Sequence, residues 1–305
     1  MNQNDILRAF KTQFDSVGII KSQRYFDALK TIAAGSESYE MLAVVALAYP
    51  KRPTIQNKES LVASFYTFGM DYHQALKQRI QSVMSTLNLS YSYGVDNHPH
   101  DERKAAELAH LGFIGRNQML ITPEWGSYVF LGMIFIDFPV EFETIHSPLD
   151  SCKDCTKCIQ ACPRKALSET NYHSALCISN YNQQKRLLSN DEVRDNYLLL
   201  GCDLCQLACP KNLNKGMLTH LEFETLPSDR VLINDLFTLS ERKFKQIYAN
   251  KAFLWRGKTL LMRNALTLIE NHRWTIYKDL IRQTMDSSKP TWYLDQAQRT
   301  LDNLK

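Results

Sequence analysis

The sequence has no apolar run long enough to cross a membrane. Its longest, Met41 to Tyr49 and Tyr128 to Ile136, are about half the length of a spanning helix and read as buried strands. No G-x-G-x-x-G fingerprint, P-loop or H-E-x-x-H is present, so a nicotinamide or flavin domain of the usual kind is not indicated. The opening Met1-Asn2-Gln3-Asn4-Asp5 is polar and has no basic segment leading into an apolar one, which gives the expectation of a cytoplasmic protein. Nor is there a cysteine before Cys152 or after Cys209.

Everything the chain has of that residue is therefore in one stretch: Cys152, Cys155, Cys158, Cys162, Cys177, Cys202, Cys205 and Cys209. The first four read C-x2-C-x2-C-x3-C-P and the last three C-x2-C-x3-C-P. This is the spacing of bacterial ferredoxins that carry two 4Fe-4S clusters, in which the fourth cysteine of a run ligates the other cluster. Crossed ligation assigns Cys152, Cys155, Cys158 and Cys209 to one cluster and Cys162, Cys177, Cys202 and Cys205 to the other. Two zinc sites of four thiolates would also use all eight cysteines, but the Cys-Pro endings and the triple step suit zinc poorly. A disulfide framework fits less well still, because close C-x2-C pairs suit metal.

The chain of 305 residues is 44% hydrophobic and 22% charged, within the range of a soluble globular protein of one large or two ordinary domains. Its net charge of +4 is unevenly placed. Residues 211–305 hold 16 Lys and Arg against 10 Asp and Glu, and seven bases with no acid fall between Arg242 and Arg263. Such a run suits a polyanion or, equally, a solvated helical face.

In chain order, helical spacing of Ile6, Leu7, Phe10, Phe14 and Val17 predicts an opening helix over 2–17, ended by Gly18. Strands are expected over 41–49 and 128–138, helices over 71–87 and 101–109, and a loop over 91–100. The alternation argues for an α/β or α+β domain. A cluster module follows at 148–215. After Pro227 the pattern is helical only, with a capping box of Thr238 and Glu241 and helices over 239–249, 275–285 and 291–303.

A resemblance extends this reading. Val95-Asp96 with Pro99, Glu102-Arg103, His110-Leu111-Gly112-Phe113-Ile114-Gly115-Arg116-Asn117, Leu120-Ile121 and Gly126 to Gly132, leading into the double cluster, resemble the epoxyqueuosine reductases. Trp255-Arg256-Gly257-Lys258 and Arg263-Asn264-Ala265 are similar to that family's C-terminal signature. The resemblance implies an α+β protein in three parts: an α/β cobalamin-binding domain (1–147), the two-cluster module (148–215) and a HEAT-like helical segment that contacts tRNA (216–305). It implies reduction of epoxyqueuosine to queuosine in a tRNA anticodon loop by cobalamin, which is itself reduced through the clusters by an external low-potential donor, in a monomeric protein.

Asp96 matches the family's proton donor, and close packing against a corrin would favour its neutral form; an Asp before Pro99 also suits a turn. Ser64, Leu120, Ser127, Leu131 and Asp203 match positions near the cofactor, the leucines being equally ordinary core. Gln183 and Lys185 match a tRNA-contacting segment, and Arg256, Lys258 and Arg263 are the expected phosphate contacts. His98 and His100 read as surface residues rather than cobalt ligands. The segment between Asp27 and Met41 is shorter than in relatives, as is the C-terminus. The competing readings are a corrinoid reductase of a small molecule, similar to reductive dehalogenases, and a plain two-cluster electron carrier.

Overall fold

The structure, a computed structural model, describes residues 1–30, 39–144, 150–218 and 220–305. The shortened segment after Asp27 lies largely outside them. Two compact units are present: Met1–Lys51 with Tyr72–Lys157 and Ala208–Glu222, and Arg52–Asp71 with Cys158–Leu207 and Phe223–Lys305.

The first unit is built on a four-stranded sheet in the order Ser16–Lys21, Met41–Ala48, Val129–Ile136, Tyr91–Gly94. Every pairing is antiparallel, with Val17 opposite Val45, Ala46 opposite Leu131 and Gly94 opposite Met133. The architecture is thus α+β, not an alternating parallel α/β sheet. Both central strands are buried at every position. Leu42, Val44, Ala46, Leu131 and Met133 pack with Ala105, Ala106, Tyr25 and Phe26 on one face, while Val45 and Gly132 meet Leu76 and Ile80 on the other. Helices on both faces explain why these strands read as unbroken apolar runs rather than alternating ones.

The opening helix is shorter than its periodicity suggests. It runs Gln3–Lys11, started by Asn2 and Asp5 in a capping box, and Val17 and Gly18 belong to the first strand. Gly18 does not stop a helix: a Cβ there would stand 2.6 Å from the Ala109 carbonyl, so only glycine lets the sheet meet the end of the Glu102–Leu108 helix. Part of the expected 91–100 loop is likewise the Tyr91–Gly94 edge strand.

The second unit gathers around the Lys258–Asn271 helix, buried from Leu260 through Ile269 and packed on Thr291–Asn303. Its apolar side meets Leu236, Phe244, Phe253, Tyr293 and Ala297. A second stripe is polar. Arg263 donates to the carbonyls of Asn182 (3.2 Å) and Gln184 (2.8 Å). Asn264 donates to those of Asn182 and Leu199, both at 2.8 Å. Thr267 accepts from Asn196 at 2.8 Å, and Asn271 donates to Val193 at 2.7 Å. This stripe supplies donors to carbonyls of the 182–199 backbone, beside the hydrogen bonds that segment makes within its own turns and its Asn190–Asp195 helix. A strand that the helical pattern had hidden, Arg230–Leu232, pairs with Ser60–Val62. The helix Ile233–Thr238 follows it, and the next, Glu241–Ile247, is capped by Ser240 rather than by the expected Thr238.

Candidate active site and cluster ligands

None of the eight cysteines is paired in a disulfide, and each is buried or half-buried. In the second unit Cys205 is pushed well up by burial and by its neighbours Cys202, Cys177, Cys158 and Cys162, and burial pushes Cys202 up to about 12. In the first unit burial raises Cys209, with Cys152 and Cys155 adding to it. Such thiols are costly to ionise without a cation, which is the condition a metal cluster relieves. Donors already face several sulfurs: the Arg116 backbone N–H on Cys152 (3.4 Å), the Ala166 N–H on Cys162 (3.3 Å) and the Tyr197 hydroxyl on Cys202 (3.5 Å). Hydrogen bonds to sulfur are a feature of iron–sulfur sites, so the donor set fits the group expected. Cys152, Cys155 and Cys209 lie in the first unit, and Cys158 is the first residue of the second unit's 158–207 segment.

Asp96 follows the edge strand in the left-handed region, φ 57°, a conformation that Asp tolerates better than most side chains. Its backbone N–H donates to Glu102 Oε1 at 2.8 Å. Its Oδ2 receives the Tyr72 hydroxyl at 2.9 Å and lies 3.0 Å from His73 Nε2. Tyr72 is itself held flat against Phe130, with ring centroids 4.4 Å apart and planes 4° apart. The side chain of Asp96 is 55% exposed. The His73 and Tyr72 hydrogen bonds outweigh burial and hold the carboxyl below its usual range. Donors rather than apolar groups surround the carboxyl in this chain and favour its charged form; the neutral form is the expectation for a carboxyl packed against a corrin.

Reasoning from spacing assigns Tyr72 and His73 no role. The signal available was their place at the first turn of a helix whose inward face is otherwise apolar. His98 and His100 are half-buried rather than fully exposed. His98 lies 3.0 Å from Glu102, and burial lowers His100, which packs 4.9 Å from the Phe135 ring.

Ser127 is buried and reciprocally bonded to Asn212: its N–H donates to Asn212 Oδ1, and Asn212 Nδ2 donates to its hydroxyl, both at 2.8 Å. That ties the Gly126–Leu131 stretch to the turn after Cys209. Leu120 and Leu131 are buried in the same unit's core. In the second unit the Ser64 hydroxyl donates to Asp203, beside Cys202, and Asp203 is raised to about 6 by burial against the Ser64 and Phe65 bonds. Gly201, at φ 83°, permits this turn, since a Cβ would come within 2.6 Å of Ser64 Cβ. Within each unit, then, a residue expected at cobalamin is bonded into a turn that carries expected cluster ligands.

The basic run divides. Arg242, Lys243 and Lys245 are exposed. Lys258 and Arg263, expected on a phosphate-binding surface, are instead buried at 7% and 0% exposure and spend their charges on backbone carbonyls, Lys258 on that of Leu239. The Arg256 guanidinium lies over the exposed Trp255 ring, 3.7 Å from its centre. Lys185 is exposed, and half-buried Gln183 donates to the Ser179 carbonyl at 2.5 Å. Among the described residues no helix is long and apolar enough to cross a membrane.

A family model for a 4Fe-4S double cluster binding domain matches residues 151–212. Across most of its length the chain is similar to epoxyqueuosine reductase from Bacillus anthracis, 34% identical over an alignment of 264 residues that covers 82% of this chain and 69% of that protein. The fold is similar to that of epoxyqueuosine reductase from Streptococcus thermophilus, with a TM-score of 0.84, 22% identity and coverage of 99% and 90% of the two chains. It is also similar to an epoxyqueuosine reductase crystallised with an epoxyqueuosine-modified tRNA-Tyr stem loop, with a TM-score of 0.81, 23% identity and coverage of 99% and 98%. With its cysteine framework and a relative matched at this identity over this span, the chain belongs to the epoxyqueuosine reductase family.

Proposed function

We propose that this chain reduces epoxyqueuosine to queuosine in the anticodon loop of tRNA, with Asp96 as the proton donor. The observation that carries the reading is the Asp96 carboxylate held by Tyr72 and His73 at a motif position of the family, in a chain whose cysteines fit two clusters. Removing an epoxide oxygen to leave a double bond consumes two electrons and two protons and releases water. Cobalamin, reduced through the clusters by an external donor, supplies the electrons when bound. The oxygen needs protonation, because an alkoxide is a poor leaving group, and Asp96 with donors on one oxygen can receive and pass on a proton.

In this reading residues 1–147 carry the cobalamin site, 148–215 the relay and 216–305 a HEAT-like segment against tRNA. Ser64, Ser127, Leu120, Leu131 and Asp203 would line the cofactor. Lys185, Gln183, Arg256 and the exposed Arg242, Lys243 and Lys245 would meet the RNA, giving an affinity that falls with salt. The protein would act in the cytoplasm as a monomer.

The test is metal analysis and an anaerobic visible spectrum of protein produced with added cobalamin, then incubated with reductant and tRNA from cells that accumulate epoxyqueuosine. Expected are on the order of eight iron atoms, one cobalt and loss of the epoxide. Iron without cobalt or tRNA turnover would favour the electron carrier. Zinc in place of iron would overturn the cluster assignment itself.

A further inference from the structure

The turn between the short strands Phe113–Ile114 and Leu120–Ile121 is fixed from both ends, by Gly115 N–H on the Met119 carbonyl at 2.9 Å and Gln118 N–H on the Gly115 carbonyl at 2.8 Å. From it Arg116 reaches the first C-x2-C pair twice: its backbone N–H is on Cys152 Sγ at 3.4 Å, and its Nη1 donates to the Cys155 carbonyl at 2.9 Å. Cys155 N–H closes back on the Cys152 carbonyl at 3.0 Å. One residue on, Asn117 is 6% exposed; its Oδ1 accepts the Met119 N–H at 3.3 Å, while its Nδ2 is buried with no partner among the described residues. A buried amide donor left unpaired is costly, and the thiolates and sulfides of a cluster are acceptors that would satisfy it.

We infer that Arg116 and Asn117 are positioning residues that raise the reduction potential of the cluster held by Cys152, Cys155 and Cys209. This rests on the double-cluster assignment above. Each reduction adds an electron to a group already negative, so a fixed guanidinium and N–H donors on sulfur stabilise the reduced form more than the oxidised one. Because Arg116 grips a carbonyl between two ligands, it also holds them in one register. A lysine keeps the charge but not the planar fork.

The experiment is a redox titration followed by electron paramagnetic resonance on the full chain with its iron counted, for wild type, Arg116→Gln, Arg116→Lys and Asn117→Ala. Iron content reports the cluster assignment, and potential reports the tuning, so the two can fail separately. Expected is full iron in all four proteins. In Arg116→Gln one of the two waves moves to lower potential, by about a tenfold change in the reduced-to-oxidised ratio or about 59 mV for a one-electron couple. The other wave stays in place, Arg116→Lys recovers most of the shift, and Asn117→Ala moves the same wave in the same direction. Wild-type potentials in both Arg116→Gln and Asn117→Ala would overturn the inference. So would equal shifts in Arg116→Gln and Arg116→Lys, or loss of half the iron in both, which would make Arg116 a purely structural brace.

Discussion

Asp96→Ala is expected to keep its iron and cobalamin while turnover of epoxyqueuosine in tRNA falls by about 10²–10⁴, the usual worth of a positioned general acid. The folded state should tolerate the change, because the side chain is more than half exposed and its partners Tyr72 and His73 have other anchors. Asp96→Asn sharpens the test by keeping the shape and removing the titrating oxygen. The pH profile carries a sign. Since the donors hold Asp96 below the ordinary carboxylate range, it is ionised throughout the neutral range, and the protonated fraction falls as pH rises. A rate limited by that proton should drop by roughly tenfold per pH unit above the carboxyl's pKa, and the Asn variant should lose the dependence. Turnover of Asp96→Ala at the wild-type rate would remove Asp96 from the mechanism.

The second large effect is on stability. Lys251 and Asp229 form an ion pair whose side chains are 1% and 0% exposed. Lys251 Nζ also donates to the Gly69 carbonyl at 2.6 Å, and Asp229 receives the N–H groups of Gly69 (2.9 Å) and Leu226 (2.6 Å). Lys251→Met strips the cation from a carboxylate that water cannot reach, a change that typically costs about 3–5 kcal/mol. The measurement is the denaturant midpoint of the cluster-loaded protein by circular dichroism, with Lys243→Met as an exposed control. The double variant Lys251→Met with Asp229→Asn should recover much of the loss, since it leaves no unpaired charge behind. A Lys251→Met midpoint no lower than the control's would show that the pair contributes nothing.

Lys251 also illustrates what the sequence hides. A run of seven bases without an acid reads as one surface, yet Lys251, Lys258 and Arg263 are buried against carbonyls and a carboxylate. Charge patterning reports sign along the chain and not which side of a helix faces the core. The cysteine framework was legible because cubane ligation fixes short local spacings, and the two central strands because burial on both faces leaves no polar position in them. The opening helix was drawn too long because Phe14 and Val17 continue a three-to-four spacing that a following strand also permits. Tyr72 and His73 could not be placed on Asp96 from spacing at all: 24 and 23 residues separate them from it, and only the fold closes that distance.

The polar stripe of the Lys258–Asn271 helix has a consequence for any attempt to cut the protein into parts. Here the backbone that includes Asn182, Gln184, Val193 and Leu199 is completed by Arg263, Asn264 and Asn271 from far downstream. A fragment cut after Pro210 would leave those carbonyls without these donors, so the 182–199 backbone depends on the helical end for its fold.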